Sequence, residues 1–197
     1  MASPASGKLS LIIGPSGVGK SAVIRTLRQR HPEWHYPRSA TTRTRRQGEG
    51  DENYYFLSNE QFDVWLAEGR FLEWQVVHQT ARYGTLKSEI LDPVDAGKTV
   101  IREIEVQGFV SLLSDPHFSP AGGPRRLQSI FLKPESTEQL VAHITHRAPI
   151  GQDELQHRLH SMQMELAHAD QCDATIVNHE GQLKRTIDAV EELVIGA

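Results

Sequence analysis

The chain has 197 residues, 38% of them hydrophobic and 23% charged, with a formal net charge of -4. That length and balance describe a globular protein able to bury its own core, and they exclude a disordered or collagen-like chain. They also exclude an overall basic surface, the usual footprint of nucleic-acid binding, so any anion site has to be built locally.

Taken in chain order, Met1 to Gly7 has no charged start followed by a long apolar stretch, so it does not read as a signal peptide. Leu9 to Ile13 is a short apolar run ending at Gly14, the pattern of a buried parallel strand. Ser21 to Arg30 carries Val23, Ile24 and Leu27 at helical spacing and is closed by Pro32. The segment from about Arg38 to Leu91, rich in Arg, Tyr, Thr and Glu, reads as an inserted lobe that binds something. Thr99 to Val106, Ser129 to Leu132 and Asp173 to Val177 read as further strands, the last ending at Asn178. Ser114 to Pro124, with three prolines and two glycines, reads as a surface loop. Ser136 with Gln139 resembles a capping box. Leu155, Leu159, Met162 and Leu166 form one amphipathic stripe, and Leu183, Ile187, Val190 and Val194 another, both expected to face the core. Strands alternating with helices imply an α/β fold with a parallel sheet flanked by helices.

Cys172 is the only cysteine, which excludes an intrachain disulfide, a paired-thiol redox motif and a cysteine zinc site. The ten histidines show no H-E-x-x-H spacing. Apolar runs such as Leu11-Ile12-Ile13 are too short to cross a bilayer. The expectation is a cytoplasmic protein with neither a membrane nor a nucleic acid as partner.

Gly14-Pro15-Ser16-Gly17-Val18-Gly19-Lys20-Ser21 matches the Walker A pattern in full. Its glycines let backbone N–H groups turn toward phosphates, and the following helix aims its positive end at them. Lys20 has the reach for the β- and γ-phosphates of ATP, and the Ser21 hydroxyl suits Mg²⁺. A strand before and a helix after set this apart from a chance glycine-rich turn. Downstream, Arg43 and Arg46 can converge a bidentate fork and a second charge on one phosphate, with Tyr54 and Tyr83 adding hydroxyls. Alone, that stretch reads as a solvated basic loop. Joined to a Walker A loop, it reads as an acceptor site.

These pieces resemble the guanylate kinase family over nearly the whole chain. The matching segments are the Walker A loop, Ser39 through Glu49, Tyr54-Tyr55-Phe56, Phe71-Leu72-Glu73-Trp74 and Tyr83-Gly84-Thr85. They continue with Ile104-Glu105-Val106-Gln107-Gly108, Arg147, Arg158 and Ile176-Val177-Asn178. The resemblance implies a single domain of the P-loop NTPase type, with core about 8–38, 92–140 and 159–197, a GMP-binding lobe about 39–91 and a lid about 141–158. It implies phosphate transfer from ATP to GMP with Mg²⁺ as cofactor. Arg43, Arg46, Tyr54 and Tyr83 would hold the GMP phosphate. Ser39, Glu73 and Thr85 would read the guanine edge beside Gly84, with Glu49 and Glu105 supporting that pocket. Arg147 and Arg158 would reach the transferring group from the lid, and Asn178 would lie near the adenine. The chain departs from the family at Glu103-Ile104-Glu105, where Asp-x-Asp is usual, and at Ala22, Ala81-Arg82 and His143. The residues also weigh against two other readings. A same-fold kinase for a sugar bisphosphate would have no use for the base-reading trio. A non-catalytic binding module would not need Lys20 and Ser21 intact.

Overall fold

The computed structural model describes residues 7–77, 81–118, 125–147 and 151–196. Two four-stranded sheets organise them, and the chain divides into two compact units.

One unit contains Ser10–Glu33, Ile101–Phe109 and Leu127–Ala197. Most of the first sheet lies here, built from β1 (Lys8–Ile13), β6 (Thr99–Glu103), β7 (Arg126–Pro134) and β8 (Ala174–Asn178), in the order β6-β1-β7-β8. Every residue of β1 is buried, including Lys8 and Ser10, as an interior strand requires. β7 and β8 run parallel from Ile130 opposite Ala174 to Pro134 opposite Asn178. The helices are α1 (Lys20–Arg30), α4 (Val106–Leu113), α5 (Thr137–Arg147), α6 (Gln152–Leu166) and α7 (Leu183–Gly196).

Several expectations need adjustment. The strand at Thr99 stops at Glu103, and Val106 opens α4, whose Val106, Phe109 and Leu112 recur at helical spacing and are buried. The capping box of α5 is displaced. Ser136 Oγ accepts from Gln139 N at 3.2 Å, but the Gln139 side chain accepts from Glu135 N at 2.8 Å. Among the described side chains of α6 only Met162 is fully buried, with Leu155, Leu159 and Leu166 half-buried. On α7, Ile187, Val190 and Val194 are buried while Leu183, in the first turn, is exposed. The proposed loop of Ser114 to Pro124 lies outside the described residues from 119 onward.

The other unit contains Trp34–Val100 with Met1–Leu9 and Val110–Arg126. Its sheet, of β2 (Ser39–Thr41), β3 (Tyr54–Phe56), β4 (Phe71–Val77) and β5 (Ala81–Leu86), has the order β3-β2-β5-β4. α2 (Asn59–Ala67) covers one face of it, and α3 (Lys87–Asp95) follows β5 directly. α2 starts on a complete capping box, Ser58 with Gln61. Phe62 of α2 stacks on Phe71 of β4 at 4.5 Å and packs with Ala40 and Leu86 into a small separate core. One face of this sheet is therefore committed to packing. The opposite face is where the polar residues lie.

Candidate active site

In the first unit, the loop after β1 is shaped by glycine. Gly14, Gly17 and Gly19 have φ of 143°, 88° and 105°, a region that L side chains rarely enter. At Gly14 a Cβ would also lie 2.3 Å from the Leu132 carbonyl of β7. The loop delivers the chain into α1 with Gly19 as the N-cap, no side-chain cap and no acidic residue in the first turn. The N–H groups at that helix start are thus suited to an anion rather than already paired with a side chain. Lys20 is 4% exposed, and its ammonium donates to the carbonyls of Gly14 and Pro15. Those bonds hold a buried cation along the rim of the loop.

Acidic groups gather beside it. Ser21 Oγ donates to Glu103 at the end of β6, at 2.9 Å to Oε2 and 3.2 Å to Oε1. Glu103 was not assigned a role by the sequence reading. Its signal is position: an acid at the carboxyl end of the strand beside β1. Glu165, on α6, is a second residue that the sequence left unmarked. One of its carboxylate oxygens is buried with no hydrogen-bond partner among the described residues. Burial, then the charge of Glu105, push its pKa up to about 7, with Lys20 pulling the other way. No group of three or more metal-binding side chains occurs among the described residues. A cation here would have to share its oxygens with a ligand, and the hydroxyl–carboxylate pair Ser21–Glu103 is a donor set that suits a hard cation.

In the second unit, register does the assembling. Ser39 lies opposite Tyr54 on β3 and opposite Thr85 on β5, and Thr85 lies opposite Glu73 on β4. Tyr54, Ser39, Thr85 and Glu73 therefore form one row across four strands and share a face. A one-residue bulge in β4, between Phe71 and Glu73, makes this work. Phe71 pairs with Leu86 in the core layer, and the extra residue then brings Glu73 opposite Thr85 instead of Gly84. Without it Glu73 would turn toward Phe62. Thr85, 1% exposed, donates its hydroxyl to Glu73 Oε1. Gly84, placed by resemblance near the guanine, faces the other way. A Cβ there would lie 2.5 Å from the Phe71 ring, so this glycine admits the core.

Two residues along the same face, Tyr83 lies opposite Thr41, and an arginine cluster forms around it. Arg43 donates through Nε to Tyr83 Oη at 3.1 Å, and its fork grips Glu49 at 3.0 and 2.7 Å. Its guanidinium lies 5.3 Å from the centre of the Tyr54 ring. Thr41, fully buried, fixes the turn by accepting from Arg43 N at 3.1 Å. The Arg43 fork, with help from the Arg46 N–H, holds the Glu49 pKa down to about 2, and Arg43 is held charged in return. Arg46 joins through its backbone N–H to Glu49 at 3.0 Å, leaving its side chain exposed.

The unit thus brings together Ser39, Thr85 and Glu73 as one group and Arg43, Tyr54, Tyr83 and Glu49 as another. Glu49 belongs with the arginines rather than with Ser39, Thr85 and Glu73. Glu105 lies in the unit that carries the phosphate loop, where its charge acts on Glu165. Arg82, where the family has another residue, pairs with Asp63 and lies 4.5 Å over the Phe62 ring, bracing α2. The 141–158 interval contains most of α5 and the first part of α6. Residues 148–150 and the side chains of His143, Arg147 and Arg158 lie outside the described residues. Asn178 is buried, and each end of its amide makes a bond within its own unit.

A glycine-built phosphate loop on a parallel sheet, with a separate polar sheet face rich in arginine, defines a P-loop phosphotransferase. The guanylate kinase family model matches residues 6–196. The chain is 39% identical over 194 residues to the guanylate kinase of Trichormus variabilis, covering 98% of this chain and 92% of that protein. It is 36% identical over 190 residues to that of Nocardia farcinica, covering 95% and 92%. A crystal structure of guanylate kinase from Anaplasma phagocytophilum superposes with a TM-score of 0.70 at 24% identity, covering 98% and 86%, and so shares the fold. The chain belongs to the guanylate kinase family. No described helix is long and apolar enough to cross a membrane.

Proposed function

We propose that this enzyme transfers the γ-phosphoryl group of ATP to GMP, giving ADP and GDP, by direct in-line displacement. The observation that carries this reading is the row Ser39–Thr85–Glu73 on the same sheet face as the Arg43–Tyr83 cluster. Guanine offers N1–H and an exocyclic amine on one edge, and a carboxylate at Glu73 accepts from both, while Thr85 can donate to O6. The arginine cluster suits the phosphate at the other end of the same nucleotide. A sugar bisphosphate acceptor would leave the row without partners.

The GMP phosphate is already anionic at neutral pH, so no general base is needed. Its oxygen attacks the γ-phosphorus, the bond to the bridging oxygen breaks, and that oxygen leaves with ADP. Catalysis is positioning and charge stabilisation. Backbone N–H groups from Gly14 to Ser21 would cradle the ATP phosphates. Lys20 would exchange its carbonyl partners for phosphate oxygens. Arg43, Tyr54 and Tyr83 would seat the GMP phosphate, oriented by Glu49. Arg46, Arg147 and Arg158 would meet the charge on the moving group. Ser21, with Glu103 beside it, would hold Mg²⁺, which when bound neutralises phosphate charge. Closure of the 141–158 lid would exclude water, the competing acceptor.

A coupled assay of ADP formation with GMP, AMP, CMP and UMP tests the reading. We expect kcat/KM for GMP to exceed that for AMP by at least about a thousandfold, since buried groups left unpaired reject an analogue strongly. Phosphorylation of AMP within tenfold of GMP would remove Glu73 and Thr85 as base readers.

A further inference from the structure

Asn178 ends β8 and is 6% exposed. Its Nδ2 donates to the Val18 carbonyl of the phosphate loop at 2.9 Å, and its Oδ1 accepts from the Thr186 hydroxyl of α7 at 2.7 Å. Its own carbonyl accepts from Gln139 Nε2 of α5 at 3.0 Å. Chemistry fixes the orientation of this amide. A carbonyl can only accept, so the NH₂ end must face Val18. The Thr186 hydroxyl, which can do either, must then donate to the other end. Each end of the side chain thus makes one bond inside the protein, and the amide is held in a fixed orientation.

The contact with Val18 has a consequence one atom further along. Peptide bonds among the described residues are all trans, so the Val18 carbonyl and the Gly19 N–H point in opposite directions. Drawing the carbonyl back toward β8 turns the Gly19 N–H the other way, alongside the N–H groups that open α1. The approach is close. A Cβ on Gly19 would lie 3.0 Å from Asn178 Nδ2, and Gly19 holds φ at 105°. Glycine is thus favoured at position 19 by its backbone angle, and a side chain there would also crowd Asn178.

We propose that Asn178, locked by Thr186, is a positioning residue of the phosphate cradle: it holds the Val18 carbonyl so that the Gly19 N–H faces the phosphates. This rests on the cradle binding a polyphosphate, as proposed above, and it gives Asn178 a role behind the phosphates besides the place near the adenine that the resemblance implies. An Asn178→Asp side chain would set an acceptor against the Val18 carbonyl and release the peptide. Thr186→Val would remove the lock while keeping the shape, and Thr186→Ser would keep it.

The test is calorimetric titration of the intact protein with magnesium tripolyphosphate, which has no base, and separately with Mg-ATP and with GMP. N178D is expected to weaken tripolyphosphate and ATP alike by at least about tenfold, the usual cost of leaving a buried polar group unpaired. T186V should weaken both in the same direction, T186S should bind as the unaltered protein does, and GMP affinity should hold throughout. A variant that is merely destabilised would melt earlier yet bind tripolyphosphate normally once folded, and that result would overturn the proposal. So would a loss confined to ATP, which would return Asn178 to the base. If N178D does not fold, T186V against T186S decides, and equal affinity in that pair overturns the lock. Failure of the unaltered protein to bind tripolyphosphate would instead remove the cradle reading itself, and this inference with it.

Discussion

The two polar regions of this enzyme are made of different material. The loop from Gly14 to Ser21 is a backbone site. Its donors are N–H groups, its shape is set by three glycines at positive φ, and its neighbours are held through carbonyls. The face of the β3-β2-β5-β4 sheet is a side-chain site, in which hydroxyls, carboxylates and a guanidinium are brought into line by register. A backbone site is indifferent to what its anion is attached to, because N–H groups see only phosphate oxygens. A side-chain site can choose, because a carboxylate and a hydroxyl read a donor–acceptor pattern. Chemistry is thereby expected to reside with the first region and selectivity with the second.

The sharpest way to break that comparison is Lys20, the buried cation of the backbone site. Lys20→Ala should lower kcat by about a thousandfold or more, since its charge counts mainly as negative charge moves between phosphates. GMP affinity should be unchanged, and circular dichroism should report an intact fold. Near-normal turnover would end the catalytic assignment.

Glu73 is the counterpart on the other side. Glu73→Gln leaves an amide where guanine needs two acceptors, so kcat/KM for GMP should fall by about a hundredfold or more. AMP should gain little, because Thr85 and Ser39 remain. A variant that keeps the full preference for GMP over AMP would place selectivity elsewhere.

The same contrast explains what could be read from the amino-acid sequence. The cradle was legible because backbone geometry has few solutions: Gly14 cannot carry a Cβ against Leu132, and Gly19 holds a φ of 105° that L side chains rarely adopt. Such demands leave a local pattern. The row Ser39–Thr85–Glu73 leaves none, since its members come from three strands and meet only through pairing. The bulge that turns Glu73 to the correct face has no sequence mark either. Resemblance supplied those names, but not their surroundings. Gly84 admits the Phe71 ring, Glu49 grips Arg43, and Asn178 faces Val18. Order along a chain cannot convey such contacts. Glu165 escaped because a lone acid among 25 acidic residues carries no spacing signal, and Glu103 stood out only as a departure from the Asp-x-Asp usual in the family.

Glu49 gives a smaller effect that separates orienting from contacting. Glu49→Gln keeps the size but replaces the charged fork to Arg43 with a weaker contact. KM for GMP should rise by about tenfold or less while kcat changes little, as for a group that helps seat the acceptor phosphate. Steady-state kinetics with GMP varied at saturating ATP gives both numbers. A fall in kcat with KM unchanged would move Glu49 from seating the substrate to the transfer step.

The smallest expected effect is on stability rather than turnover, and it runs in opposite directions in the two regions. Glu49 titrates at about 2 in the folded protein, below the ordinary carboxylate value of 4.5, because Arg43 and the Arg46 N–H favour its charge. The folded state then binds that proton less readily than the unfolded chain, so stability from this group is present above pH 4.5 and is lost as pH falls toward 2. Glu165 titrates at about 7 because burial and Glu105 disfavour its charge. Here the folded state holds the proton more tightly, so stability is fullest below pH 4.5 and declines as pH rises from 4.5 to 7. Thermal melts from pH 2.5 to 8 should resolve the two windows. Glu165→Gln should flatten the slope between pH 4.5 and 7, so that its melting temperature gains on the unaltered protein as pH rises. Glu49→Gln should leave that window alone and narrow its deficit only on acidification below 4.5. The slope is the quantity to compare, since replacing a buried carboxyl with an amide also shifts the level at every pH. An unchanged slope in Glu165→Gln would mean that the carboxyl is solvated in solution, and that the phosphate-loop region does not hold an uncharged acid beside Lys20.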